Sequence, residues 1–305
     1  MRYARALPGL RIQLVTFTEG YGIMTSTSSD ITHVGFIGLG DQGAPMARAI
    51  AEAGFTLHVW ARRSASLAAL DGIRFIAERS VTDLGVACDL VGLCLSQDRD
   101  NLSIATDAGL VASMRADTVL VNHGTGTPSN AALLAEICAA AGVDSLDAPV
   151  SGGRPAAEER RLTTMVGGAK SVADRCTPVF ESFSRHVVYQ GQTGAGQVAK
   201  LFNNALLMMN QASIAEIVDL AVQMGLDPVP LVEVLKLGSA SSQALTLLNT
   251  MVRLENVDHL SGVEVIDMKL FKTAMAEAGV SADAVTARGL AGANGLPALV
   301  RRLNS

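Results

Sequence analysis

The chain has 305 residues, nearly half of them hydrophobic and only 4% aromatic, with a formal net charge of -5. That length supports a sizeable core and two domains, and the acidic balance argues against nucleic acid as the default partner. The four cysteines, Cys88, Cys94, Cys138 and Cys176, show no CxxC or paired ligand spacing, which points to reduced core residues of a cytoplasmic protein with no metal site.

In the first 32 residues, Arg2 and Arg5 precede an apolar stretch that Pro8, Gly9, Arg11 and Glu19 interrupt. A signal-peptide core is missing. Met24, just before the polar residues 25–30, is a candidate start, and residues 1–32 are expected to be a disordered extension. No run of about 18 uncharged apolar residues occurs, so no membrane span is expected.

Residues 33–47, HVGFIGLGDQGAPMA, are an apolar run that breaks into a glycine-spaced turn and reopens with helical spacing through Met46, Ile50 and Ala53. Gly38, Gly40 and Gly43 form GxGxxG. In such a turn the first glycine permits a tight backbone, the second lets a pyrophosphate approach, and the third brings the helix onto the strand. With Leu39, Asp41 and Gln42 they make the phosphate turn, whose helix offers free N–H groups and its positive end. A second strand over 56–60 follows at the distance a βαβ unit needs. It ends Val59-Trp60-Ala61-Arg62-Arg63-Ser64, with no carboxylate to take ribose hydroxyls. A guanidinium accepts a 2′-phosphate bidentately, so Arg62 and Arg63 favour NADP, with NAD as the alternative.

Beyond the turn, β-like runs alternate with helical segments as a parallel sheet with crossover helices requires. Residues 73–77 suggest the third strand, and Ser80 is the cap of the helix after it. The apolar runs 90–95 and 118–121 read as buried parallel strands. Pro128 opens a helix after Thr127, and strands over 143–146, 163–166 and 187–189 complete the sheet. From Gly196 the pattern changes: apolar residues from Val198 to Val222 recur at helical spacing for about seven turns. Shorter helices follow, with breaks expected near 227–230, Gly238, 255–262, Gly279 and Gly292. The expected architecture is an α/β Rossmann domain over 33–194, then an all-α substrate and oligomerisation domain over 195–305, joined by a long helix.

Two further stretches carry chemistry. In Leu146-Asp-Ala-Pro-Val-Ser-Gly-Gly153, backbone N–H groups freed by Gly152 and Gly153, with the Ser151 hydroxyl, suit a carboxylate; a plain turn fits this stretch equally well. In Gly194-Ala-Gly-Gln-Val-Ala-Lys-Leu-Phe-Asn-Asn204, Lys200 and Asn204 share one helix face with Gln197, beside positions that must be buried. Desolvation lowers a lysine's pKa there, which suits it to exchange a proton with an alcohol as hydride leaves.

Taken in order, these stretches resemble the β-hydroxyacid dehydrogenase family over about 33–303. The motifs are GFIGLGDQGAPMA, DAPVSGG with LTTMVGG after it, and GAGQVAKLFNN. The resemblance implies a cleft between the two domains and NAD(P)-dependent exchange between a 3-hydroxy acid and its semialdehyde or oxo acid. It implies Lys200 as catalytic lysine, Asn204 as the residue orienting substrate, and Ser151, Gly152 and Gly153 as the carboxylate loop. Leu95, Ser96 and Thr125 match positions that contact cofactor, and a homodimer or homotetramer is expected.

Four departures bear on substrate. Gln42 stands where the family has methionine, and Gly124 replaces its usual serine. Arg154-Pro-Ala-Ala-Glu-Glu-Arg-Arg161 follows Gly153 where small residues are usual. The late lysine-aspartate-leucine motif reads Ile266-Asp267-Met268, with Lys269 nearly one turn on as a candidate substitute. Two other functions compete: an imine reductase, disfavoured by Lys200 and DAPVSGG, and a non-catalytic dinucleotide-binding module, disfavoured by the retained lysine.

Overall fold

In the computed structural model the described residues are 31–304, so the extension expected over 1–32 lies, except for its last two residues, outside them. The first half alternates as expected. Strand β1 (His33–Ile37) leads into helix α1 (Gly43–Glu52), followed by β2 (Thr56–Trp60) and a 3-10 turn at Ser64–Leu70. Next come β3 (Ile76–Ala77), α2 (Val81–Ala87), β4 (Leu90–Leu93), α3 (Asp98–Ala105) and α4 (Leu110–Ser113). The unit continues through β5 (Val119–Asn122), α5 (Pro128–Ala140) and β6 (Asp144–Asp147). Ser80 Oγ caps α2 by accepting the Asp83 N–H, as the sequence predicts, and α5 starts at Pro128 as expected, with Thr127 Oγ1 as its cap.

Strands β1 to β6 lie parallel in the order β3-β2-β1-β4-β5-β6. Both faces are covered. Val34 and Phe36 pack with Met46, Ile50 and Phe180 on one side, while Ile37 packs with Leu84, Val91 and Leu120 on the other. Burial on both faces explains why β4 and β5 read as apolar runs.

The all-parallel expectation fails beyond β6. A separate two-residue strand, β7 (Val150–Ser151), follows the end of β6, and α6 (Gly153–Glu158) then turns the chain into β8 (Leu162–Gly168), antiparallel to both β6 and β7. The reason is length: a parallel crossover needs a dozen or more residues, and one short helix reverses the chain instead. Helix α7 (Lys170–Glu181) is long enough to cross over, and β9 (Ser184–Gly191) returns parallel to β8. The third strand is also shorter than the expected 73–77.

The second half is helical: α8 (Ala195–Gln223), α9 (Pro228–Leu237), α10 (Gln243–Leu247), α11 (Val257–Glu277) and α12 (Asp283–Arg302). Helix α8 is long and apolar enough to cross a membrane by length and composition. Here its Leu201, Ala205 and Met208 pack with Met268, Phe271 and Ala293, and its Ile214 and Val218 with Leu296 and Val300. Two expected breaks are corrected. Gly262 lies inside α11, and Gly292 lies inside α12. A Cβ at Gly292 would sit 1.8 Å from the Met208 carbonyl oxygen. That glycine lets α12 cross α8 at backbone contact.

Candidate active site

Gly38 ends β1 with φ +105°, and a Cβ there would lie 2.2 Å from the Cys94 carbonyl oxygen at the end of β4. A Cβ at Gly43 would strike the Gly38 carbonyl oxygen at 1.8 Å. These two glycines close the turn and seat α1 on the sheet. At Gly40 a Cβ would meet nothing within 4 Å, so the middle of the turn faces open space. The side chain of Gln42, at the helix N-cap, makes no cap hydrogen bond, and no acidic residue lies in the first turn of α1. Free N–H groups, the positive helix end and an open approach fit a diphosphate. The turn lies where the strand order reverses, between the C-terminal ends of β1 and β4, the usual crevice of doubly wound sheets.

One strand over, Ile37 pairs with Trp60, which brings the end of β2 beside the turn. Arg62 and Arg63 follow it, both exposed and neither in an ion pair among the described residues. On the other side, Leu95 is half-buried and Ser96 exposed after β4. The loop after β5 is fixed from beneath. Asn122 Oδ1 accepts the Gly124 N–H at 2.9 Å and the Asn101 amide at 3.2 Å. A Cβ at Gly124 would lie 2.5 Å from the Leu95 carbonyl oxygen, which accounts for glycine at this position. Thr125, half-buried, is carried between Gly124 and Gly126. His123, unremarked in the sequence, is buried between Phe36, Phe180 and Phe183, and burial pushes its pKa down to about 4.

The Ser151 loop bends at Gly152 and Gly153, with φ +132° and +67°. Ser151 Oγ accepts the Asn203 Nδ2 amide at 3.3 Å, so the loop is tied to α8. Met251, from the segment after α10, closes over Gly153: a Cβ there would be 2.7 Å from its sulfur. The unusual residues after Gly153 form α6. Arg154 pairs with Glu158 at 2.7 Å and lies 3.7 Å from Asp41 of the glycine turn. Between α1 and α6 opens a cavity of about 550 Å³ lined by Gly40, Asp41, Arg48, Arg154, Glu158 and Arg160 among others; Lys200 does not line it.

The start of α8 is held by a residue that sequence reasoning left without a role. Buried Asp147, at the end of β6, accepts the Gly194 N–H at 2.7 Å and the Gln197 N–H at 2.8 Å. Burial pushes its carboxyl up to about 6 against the pull of those donors. Gln197 turns away from the lysine: its amide accepts the Gly126 N–H at 2.8 Å and donates to the Gly124 carbonyl at 2.9 Å. It staples α8 to the loop after β5. Its place at the head of the DAPVSGG stretch was the available signal for Asp147.

Three residues beyond Gln197, Lys200 is 8% exposed and Asn204 is 7% exposed, on the shared face the spacing predicts. Burial lowers the lysine's pKa, and the neighbouring Asp267 carboxylate opposes that fall. Asp267, on α11, accepts the Asn204 amide at 2.8 Å. Burial raises its carboxyl, and Lys200 and Asn204 pull it back. Ile266 is 48% exposed and Lys269 is also exposed, so neither belongs to this buried cluster. The described residues thus supply an open glycine turn whose chemistry fits a diphosphate, a glycine-serine loop, and a buried lysine on α8 that feels the Asp267 charge.

Residues 33–191 match the NAD binding domain of 6-phosphogluconate dehydrogenase, and residues 194–289 match the family described as NAD-binding of NADP-dependent 3-hydroxyisobutyrate dehydrogenase. A 3-hydroxyisobutyrate dehydrogenase of Pseudomonas aeruginosa is 36% identical over 221 residues, covering 72% of this chain and 74% of that protein. An NAD-dependent L-serine dehydrogenase of the same organism is 35% identical over 218 residues, 71% of this chain and 73% of its own length. The fold is shared with a Mycobacterium tuberculosis 3-hydroxyisobutyrate dehydrogenase solved with L-serine, at a TM-score of 0.77 and 24% identity over 90% of this chain and 100% of that one. The chain therefore belongs to the β-hydroxyacid dehydrogenase family and is an NAD(P)-dependent oxidoreductase of CH–OH groups.

Proposed function

We propose that this enzyme interconverts a small 3-hydroxy acid and its semialdehyde or oxo acid, prefers NADP, and uses Lys200 as its general acid and base. The observation that carries this reading is the burial of Lys200 beside Asp267 and Asn204, on the same helix whose Asn203 holds Ser151. When bound, the nicotinamide dinucleotide supplies the hydride acceptor or donor. Lys200, its pKa lowered by burial, takes the hydroxyl proton in oxidation and returns it to the carbonyl oxygen in reduction. Asn204, fixed by Asp267, orients the reacting oxygen. Ser151, with the N–H groups of Gly152 and Gly153, holds the substrate carboxylate.

The NADP preference rests on Arg62 and Arg63, exposed at the end of β2 with no acidic residue between Val59 and Ser64. Gly38, Leu39, Gly40, Asp41, Gln42 and Gly43 take the diphosphate, and Leu95, Ser96 and Thr125 face the rest of the cofactor. In this reading cofactor binding belongs to residues 33–194, and substrate closure and assembly belong to residues 195–305. Homo-oligomerisation through α8 is supported by an exposed apolar stripe, Phe202, Leu206, Ile217, Leu220 and Met224, which a second copy would cover.

The test is direct. Purified enzyme mixed with NADPH and a panel of short semialdehydes is expected to consume NADPH with at least one of them, and Lys200→Met to lose about a thousandfold or more in kcat. Absence of turnover in the parent enzyme, or undiminished turnover in Lys200→Met, removes the assignment.

A further inference from the structure

Two polar rungs cross the otherwise apolar seam between α8 and α11. The first is Asn204 with Asp267, described above. The second is Gln211, which donates its Nε2 amide to Glu264 Oε1 at 2.8 Å. Residues 200, 204 and 211 follow one stripe of α8, and 264 and 267 are one turn apart on α11, so the rungs stack along the seam that begins at Lys200. Met208, buried, lies between them on α8.

The second rung has a deficit of donors. Gln211 Oε1 and Glu264 Oε2 are both shut from solvent, and neither has a hydrogen-bond partner among the described residues. An ionised Glu264 offers acceptors only, and leaving buried acceptors unpaired is costly. A proton on Glu264 Oε2 supplies the missing donor. The charges agree. Lys200 is the cation beside Asp267, whereas no cation among the described residues offsets Glu264. Among the elements packed on α11, Arg288 of α12 is taken by Glu216 and Ser213 of α8, and Arg301 of α12 by Asp258. Burial, reinforced by the Asp267 charge and opposed by the Gln211 amide, pushes the Glu264 carboxyl up to about 7.

We propose that Glu264, held by Gln211, is a positioning residue for the reaction: a proton-carrying carboxyl whose charge, added to that of Asp267 in the same seam, sets how firmly Lys200 keeps its proton. This rests on Lys200 being the general acid and base. With Glu264 neutral, one carboxylate faces Lys200. With Glu264 ionised, a second negative charge enters the seam, and the lysine holds its proton to higher pH. The pair thus extends the range over which Lys200 acts as an acid in carbonyl reduction.

The variant is Glu264→Gln, which keeps the shape and fixes the charge at zero. In kcat/KM for NADPH-dependent reduction, parent and variant are expected to coincide below about pH 6, where Glu264 is neutral in both. Above about pH 8 the variant's alkaline limb is expected to fall about one pH unit earlier. Superimposable profiles over the whole range would overturn the proposal. A second readout needs neither cofactor nor turnover: in the free protein labelled with 13C at glutamate carboxyls, one signal is expected to titrate near neutrality, to vanish in Glu264→Gln, and to titrate at higher pH in Gln211→Met. No glutamate signal titrating above about pH 6 would overturn the proposal even if Glu264→Gln fails to fold. Turnover retained in Lys200→Met sinks the lysine reading instead, and leaves the Glu264 titration in the free protein as measured.

Discussion

The carboxylate of Asp147 accepts the Gln197 N–H at 2.8 Å, three residues before Lys200. The end of β6 therefore sets the start and the azimuth of the helix that carries the lysine. Gly167 and Gly196 make room for it: a Cβ at either would come within 3 Å of Asp147 atoms.

Asp147→Ala leaves the buried N–H groups of Gly194 and Gln197 unpaired. Loss of hydrogen bonds to a charged acceptor is expected to cost about 2–3 kcal/mol of stability, read as a lower urea midpoint at unchanged slope. Displacement of Lys200 is expected to reduce kcat roughly tenfold or more. An unchanged midpoint would show that Asp147 does not anchor α8.

Arg62→Asp replaces a phosphate partner with a carboxylate suited to ribose hydroxyls. The ratio of kcat/KM for NADP over NAD is expected to fall roughly 10- to 100-fold, the worth of one or two charge-assisted hydrogen bonds. A ratio that stays put removes Arg62 as the discriminator and passes the role to Arg63.

Gly124→Ser restores the residue usual in the resembling family, yet its Cβ would lie 2.5 Å from the Leu95 backbone oxygen. The loop after β5, or the end of β4, must shift. NADPH affinity, followed by quenching of protein fluorescence or by calorimetry, is expected to weaken about tenfold. Tighter binding would show that the loop accommodates the hydroxyl without moving.

Gly292→Ala forces α12 away from α8, because its Cβ would stand 1.8 Å from the Met208 carbonyl oxygen. The expected loss is about 3 kcal/mol, at the upper end for overpacking, with a melting point lowered by several degrees. Gly262→Ala, where a Cβ meets nothing within 4 Å, is the control and is expected to be neutral or slightly stabilising.

The sequence by itself determined the parts whose signal is local. GxGxxG after an apolar strand, the cap at Ser80, the helix start at Pro128, the buried runs of β4 and β5, and the lysine-asparagine spacing on a long helix are each written within a few residues, because hydrogen-bond geometry and side-chain periodicity act over one turn or one strand. What only the tertiary structure decided depends on atoms far apart in the chain. The reversal of β8 follows from the reach of a short connection, and Gly292 reads as a helix breaker until α8 lies across it. Asp147 looks like a stray polar residue until it meets N–H groups 47 and 50 positions away. Glu264 looks like a solvated helix charge until Gln211 and Asp267 enclose it. A glutamate's spelling is the same in water and in an apolar seam; burial and neighbours, which packing alone supplies, decide whether it carries a charge or a proton.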